Sequence, residues 1–162
     1  MLQNDETTLF VMMDKAIDCK DYINDVVARA TWDGGFTWET STIRNWLNDS
    51  FYDIAFSSSE QDAIVTQNVV NEDNPSSGTE GGNNTNDKIY LLSIGEVTNE
   101  TYGFCSAYST RSSSRWVQTS DYAYVRGTLK YSSSNGGNDG CDWWLRSPGG
   151  YSSTAADVDY HG

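Results

Sequence analysis

The seven residues Trp-Trp-Leu-Arg-Ser-Pro-Gly at positions 143–149 decide the fold. Side chains alternate between the two faces of a β-strand, so Trp143 and Trp144 point in opposite directions and give both faces a large apolar surface. Pro148 cannot donate to a strand ladder, which predicts that the strand ends at Ser147. We therefore expect a short buried strand on which the other segments pack.

The predicted core extends from this strand to a helix and to an earlier strand. Leu145 shares the face of Trp143, and Arg146 shares the face of Trp144. Arg146 has two interpretations: it stacks on an indole and pairs with a carboxylate such as Asp142, or it binds the carboxylate of a ligand. The residues assigned to the core are Trp46, Leu91, Trp143, Trp144, Leu145 and Arg146.

Three helix starts are visible in the sequence. Thr40 or Ser41 provides the N-cap of the clearest helix. Ser57 with Glu60, or Ser58 with Gln61, has the spacing of a capping box, and Thr119-Ser120-Asp121 caps a further short helix. Helical spacing places one apolar face on the first helix, made of Ile43, Trp46, Leu47, Ile54 and Ala55.

Strands and loops follow from the remaining apolar and polar runs. Residues 9–13 and 89–94 are apolar almost throughout, which predicts two buried strands. Residues 155–159 are expected to form a strand that pairs near 143–149. Residues 71–87 are rich in Asn, Gly, Ser, Asp and Glu, which predicts a long exposed loop.

Composition limits the classes of function. The chain has 162 residues, which favours a single domain, and 23 acidic against 10 basic residues give a net charge of −13. That balance argues against a nucleic-acid partner and against attachment to anionic lipid. No apolar run approaches the ~18 residues of a membrane span, and the polar first six residues do not have the pattern of a signal peptide.

Catalytic and metal-binding patterns are weak. The three cysteines and single histidine, His161, do not form a zinc motif, and Cys105 with Cys141 is either a disulfide or two separate thiols. We expect no nucleophilic triad, no catalytic residue and no resident cofactor or metal. Calcium is the one alternative, because carboxylates near the C-terminus supply hard oxygen ligands. They are Asp139, Asp142, Asp157 and Asp159.

The loops have the composition of binding loops. Tyrosine gives contact area at a low entropy cost, and Ser, Gly and Asn adapt to a ligand, although the same residues also simply make loops. The expected binding face comprises residues 98–115, 131–142 and 149–154. The candidate ligand-binding residues are Tyr102, Tyr108, Arg111, Tyr131, Asp142 and Tyr151.

Four blocks of sequence carry a resemblance to a known family. Residues 143–149, together with the upstream blocks 38–48, 87–94 and 119–123, resemble a bacterial domain family of unknown function, common in gut Firmicutes. That family is related to the C-type-lectin-like and formylglycine-generating-enzyme-like folds. The resemblance implies an α+β, C-type-lectin-like domain over residues 1–162, with two helices flanking short mixed or antiparallel strands and long irregular loops. Family members usually carry further terminal strands, so we expect both terminal strands to be missing here.

The expected function is a non-enzymatic ligand-binding or interaction module for a glycan or protein ligand. Lectin-like folds also serve as variable display scaffolds, which fits the loop composition. Two alternatives stay open: an enzyme of the glycoside hydrolase kind with an acidic cleft, and a structural module of a larger surface protein. We expect an extracellular or cell-surface location for the parent protein.

Overall fold

The structure, a computed structural model, describes residues 1–5, 7–24, 35–131 and 139–159. It is a mixed α+β chain of short elements, as predicted. Its internal contacts fall into two compact units, and the single domain over residues 1–162 stays a prediction. The first unit comprises Met1–Cys19, Ile94–Trp143 and Asp157–Gly162, and the second comprises Lys20–Ser93 and Trp144–Ala156. No helix within the described ranges has the length and apolar character needed to cross a membrane.

The main helix of the second unit begins where the sequence predicts. Ser41 is its N-cap, and α1 (Thr42–Trp46) follows directly. A π-helical segment, Leu47–Phe51, and then α2 (Tyr52–Ala55) continue the same helix.

The π-helical segment changes which residues after it face the core. A π turn contains one residue more than an α turn, so later positions are rotated by about 100°, the angle of one residue. Tyr52 is therefore buried, whereas Ile54 is 86% exposed and Ala55 is also exposed. The prediction that Ile54 and Ala55 face the core is wrong. The shift explains the exposure of Ile54, and Ala55 is exposed at the last position of the helix.

A second helix and a hairpin follow in the same unit. The capping box before α3 (Ser58–Ala63) is confirmed, since Ser57 N donates to Glu60 Oε2 at 2.8 Å. Strands β4 (Gln67–Val69) and β5 (Thr85–Asp87) then pair antiparallel.

The polar segment 71–87 is in large part the exposed loop that its composition predicts, but it also has buried positions. It contains β5, and Asn71, Asn74 and Thr85 are buried because they make hydrogen bonds inside the unit. Asp87 is 1% exposed. Polar side chains can be buried when their hydrogen bonds are made, and composition does not reveal those partners.

Asp87 is the centre of this buried polar network. Its carboxylate accepts from Trp38 Nε1 at 2.8 Å, from Arg44 Nε at 2.7 Å and from Thr85 Oγ1 at 2.6 Å. The adjoining apolar cluster comprises Tyr22, Ile23, Trp38, Ile43 and Leu47. Trp46 and Leu91, both assigned to the core, are partly buried against that cluster.

Residues 89–94 do not form the predicted strand. Their backbone groups bond to side chains and to single backbone atoms rather than to a ladder. Asn48 Nδ2 donates to Ile89 O, Arg146 Nη1 donates to Leu91 O, and Arg146 N donates to Leu92 O. The apolar run is still largely buried, but it is irregular.

Residues 143–148, in the segment from which the sequence analysis begins, form a strand. β7 (Trp143–Pro148) and β8 (Ala155–Val158) form a two-stranded sheet, as predicted. β7 runs one residue past its predicted end, and the Pro148 carbonyl accepts from Asn74 Nδ2 at 2.9 Å. A proline is tolerated at the last position because only its missing N–H is lost from the ladder.

The faces of β7 differ from the prediction at one residue. Leu145 is fully buried, whereas Trp144 is 38% exposed, so its assignment to the core is wrong. Its indole Nε1 donates to Lys20 O at 3.1 Å, which holds the ring at the surface. Arg146 is buried over the Tyr90 ring, 5.6 Å from its centroid, which matches its structural interpretation with a different aromatic partner.

The described residues of the first unit contain two short strand pairings and one short α-helix. β1 (Gln3–Asn4) pairs antiparallel with β2 (Leu9–Phe10), and β3 (Lys15–Ala16) pairs parallel with β6 (Gln118–Thr119). α4 (Asp121–Val125) is capped by Ser120, as predicted. Trp143 is partly buried in this unit. Cys19, Cys105 and Cys141 are free thiols.

The prediction of a buried strand over residues 9–13 is wrong. Only Leu9 and Phe10 are in a strand, and Leu9, Val11 and Met13 are 62%, 64% and 58% exposed. Alternation explains the pattern, since Phe10 points the other way and packs edge-on against Tyr102 at 5.7 Å.

Candidate functional site: a polar recess in the first unit

A buried arginine organises the loop that carries two of the predicted binding residues. Arg115 is 1% exposed, and its guanidinium donates only to backbone carbonyls among the described residues. These are Val97 O at 3.4 Å, Cys105 O at 3.0 Å, Ala107 O at 3.3 Å and Thr110 O. A planar guanidinium with five donors can hold several carbonyls at once, so the path of the loop is fixed from inside.

Tyr108 and Arg111 lie on this loop and line one recess. Tyr108 OH donates to the backbone carbonyl of Asp157 at 2.6 Å, which links the loop to β8. Arg111 is exposed. The recess has a volume of about 390 Å³ and is lined by Tyr108, Ser109, Arg111, Arg115, Asp157, Val158 and Asp159.

Strand alternation places two carboxylates at this recess. Ala156 and Val158 are 6% and 3% exposed, whereas Asp157 and Asp159, which alternate with them, are exposed. Successive strand residues point to opposite faces, so both carboxylates lie on the face away from the core.

The surroundings of the recess raise the pKa of two groups, Asp157 and Tyr108. Burial raises the pKa of the Asp157 carboxyl, and the like charges of Asp142 and Asp159 raise it further. Burial also raises the pKa of Tyr108, with a further contribution from the Asp157 carboxylate, while the charge of Arg115 acts in the opposite direction. The recess therefore holds a neutral phenol, an exposed guanidinium, and a carboxyl that is protonated more readily than an ordinary aspartate.

The other predicted binding residues have different surroundings. Tyr102 is partly buried, and its OH lies 3.4 Å from Gln3 Oε1. Tyr131 is partly buried and pairs through its backbone with Gly140. Asp142 is exposed and does not line the recess, but its negative charge raises the pKa of Asp157. Tyr151 belongs to the second unit and is 77% exposed.

Sequence reasoning missed part of the recess. Ser109 and Val158 were not singled out, and Asp157 and Asp159 were considered only as oxygen ligands for calcium. The alternation of small apolar and acidic residues over 155–159 is the signal that could have placed both carboxylates on one exposed face. Residues 132–138 of the predicted binding loop, and His161, lie outside the described residues.

Among the described residues, no group of three or more His, Cys, Asp or Glu side chains is placed so that it could hold a metal ion. The predicted calcium alternative has no further observation behind it. What the recess offers is hydrogen bonding, through guanidinium donors and carboxylate acceptors among its lining residues.

The fold is mixed α+β, and the described residues include a polar recess at Tyr108. A family model described as a domain of unknown function, DUF6273, matches residues 10–162, and the chain belongs to that family. The comparison with curated proteins found no match. The comparison with solved structures found none either.

Proposed function

We propose that the chain is a non-enzymatic ligand-binding module whose recess at Tyr108 takes a hydroxyl-rich ligand, a saccharide unit of a glycan. The observation that carries the proposal is the mixture of groups around one concave surface. Arg111 supplies donors, and Asp157 and Asp159 supply acceptors, for the adjacent hydroxyl groups of a sugar ring. A volume of about 390 Å³ is at the lower end of the range of ligand pockets, which suits one or two sugar units.

The support beneath the recess favours binding. When a ligand has to order a loop, the entropy cost of that ordering weakens binding. A loop that is already ordered in the free protein does not add this cost. The hydrogen bonds from the Arg115 guanidinium to backbone carbonyls, and the bond from Tyr108 to Asp157 O, hold this loop in advance.

The proposal extends to the fold relation and the biological setting. A C-type-lectin-like fold, a variable display scaffold and presentation on the surface of a gut bacterium all fit a small core that carries long Tyr- and Ser-rich loops. Support for these finer assignments is the four sequence blocks and the loop composition.

A glycan array followed by titration calorimetry tests the proposal. Arg111→Ala and Asp159→Asn change exposed side chains, so both variants should fold normally. Each should weaken the binding of the best array hit about tenfold or more, because a hydrogen bond to a charged group contributes about 1.5–3 kcal/mol.

Lys15→Ala is the charge-matched control for Arg111→Ala and a surface control for Asp159→Asn, since Lys15 is exposed in the same unit and does not line the recess. Wild-type protein without any glycan hit, or Arg111→Ala and Asp159→Asn that bind like Lys15→Ala, would show that the recess is not a glycan site. If a protein partner binds through the same two residues, the recess is the binding site but its ligand is a protein and not a glycan.

An enzyme with an acidic cleft is the second candidate. The raised pKa of Asp157, with the carboxyl group of Asp159 nearby, is the pattern of a proton donor next to a second acidic group. Hydrolysis of a bound glycan by wild-type protein, abolished in Asp157→Asn while binding persists, would establish this candidate in place of the binding module.

A further inference from the structure

The second unit contains a separate groove whose lining includes three aromatic rings. Tyr22, Phe36 and Trp144 come from three different segments of this unit and line a cavity of about 270 Å³. Asp21 is exposed at the same cavity. Neither the family match nor the recess at Tyr108 accounts for it.

Two of the rings form adjacent walls of the groove. The Tyr22 and Trp144 ring centroids are 5.9 Å apart, and their planes are inclined at 64°. Trp144 is 38% exposed, so its ring is accessible, whereas Tyr22 is 5% exposed and forms an inner wall. Phe36 is partly buried, and its backbone N–H donates to Ser152 O, which fixes it beside the turn at 151–154.

The polar atoms of these rings are already used by the protein. Trp144 Nε1 donates to Lys20 O at 3.1 Å, and Tyr22 OH donates to Arg146 O at 3.2 Å. The Thr154 hydroxyl, which also lines the groove, donates to Tyr151 O at 2.9 Å. A ligand therefore meets ring surfaces, one carboxylate and the hydroxyl of Ser153.

Ring surfaces beside a carboxylate favour a cation. The electron-rich face of an aromatic ring attracts a positive charge, and three such pairs occur among the described residues of the same unit, one of them Arg146 over Tyr90. Lys88 Nζ lies 4.2 Å from the Tyr52 ring centroid, and Lys20 Nζ lies 4.7 Å from that of Trp46. The net charge of −13 adds a long-range attraction for cations.

The type of cation follows from the hydrogen-bonding character of the groove. A primary ammonium has three donors that need acceptors, and the side chains with acceptors to spare in this groove are the Asp21 carboxylate and the Ser153 hydroxyl, so part of its lost hydration is not replaced. A quaternary ammonium has no donor, and its charge is spread over methyl groups that pack against rings. We propose that this groove binds a small quaternary ammonium group of the choline type.

The test compares choline with 3,3-dimethylbutan-1-ol, its uncharged isostere, by NMR titration of the full chain. Choline should shift the indole N–H signal of Trp144 and bind about tenfold more tightly than the isostere, which corresponds to about 1.4 kcal/mol. Equal affinities for the two compounds, or no shift with choline, would overturn the proposal.

Variants locate the site. Asp21→Asn changes an exposed side chain and should weaken choline binding severalfold while leaving the weak binding of the isostere unchanged. Phe36→Leu and Trp144→Leu should weaken choline binding about tenfold, and Tyr151→Leu is the matched control, since Tyr151 is exposed in the same unit but does not line the groove. If choline binds Asp21→Asn and Phe36→Leu as tightly as wild type, the cation is held elsewhere and the proposal fails.

Discussion

Asp87 in the second unit and Arg115 in the first are each 1% exposed, and their charges are satisfied in different ways. Asp87 gathers three side chains: an indole, a guanidinium and a hydroxyl. Arg115 gathers backbone carbonyls. The Asp87 network therefore requires particular amino acids at distant positions, whereas the Arg115 network requires only a particular path of the backbone.

The largest test of this contrast is Asp87→Asn. The substitution keeps the shape but removes the charge opposite Arg44, and an amide cannot accept from all three donors. Breaking one side of a buried ion pair is strongly destabilising, so we expect the free energy of unfolding to fall by about 3 kcal/mol in urea denaturation. Asp53→Asn, at an exposed position of α2, is the control and should change stability little. A loss no larger than that of the control would mean that Asp87 does not hold its unit together.

Arg115→Lys should have the next largest effect. Lysine keeps the charge but has three donors and no planar fork, so some loop carbonyls lose their partner. We expect a loss of roughly 2 kcal/mol in the free energy of unfolding. Amide exchange should also become faster over residues 105–110, and glycan binding at the recess should weaken. Unchanged exchange in that loop would show that the charge alone, and not the geometry of the donors, supports it.

The smallest effect concerns Asp157. Because its pKa is raised in the folded state, the folded protein holds this proton at a pH where the unfolded chain, with an ordinary pKa near 4, has released it. Its ionisation therefore lowers stability as the pH rises above about 4 through the raised pKa. Asp157→Asn should give a slightly higher melting temperature than wild type at pH 7, and the two should converge near pH 3. A variant that is less stable than wild type at pH 7 would contradict the assigned direction.

Local features were predictable from the sequence. The caps at Ser41, Ser57 and Ser120 and the strand at 143–148 depend on neighbouring residues, and all four are present. Tyr108 and Arg111 were found from loop composition, although composition gave the same weight to Tyr102, Tyr131 and Tyr151. These last three residues do not line the recess.

The features that were missed depend on contacts between distant residues. The burial of Asp87 needs Trp38 and Arg44, and the irregular path of residues 89–94 needs Asn48 and Arg146. None of these pairings leaves a periodic trace in the sequence. The exposure of Ile54 has a local cause, the π-helical segment, but no residue type marks such a segment reliably.

The way Arg115 is satisfied has a consequence for evolution. Every amino acid has a carbonyl oxygen, so Cys105, Ala107 and Thr110 can drift to other residues while the guanidinium keeps the same acceptors. Relatives should therefore diversify freely along this loop and still present it in the same shape, provided that the arginine itself is retained.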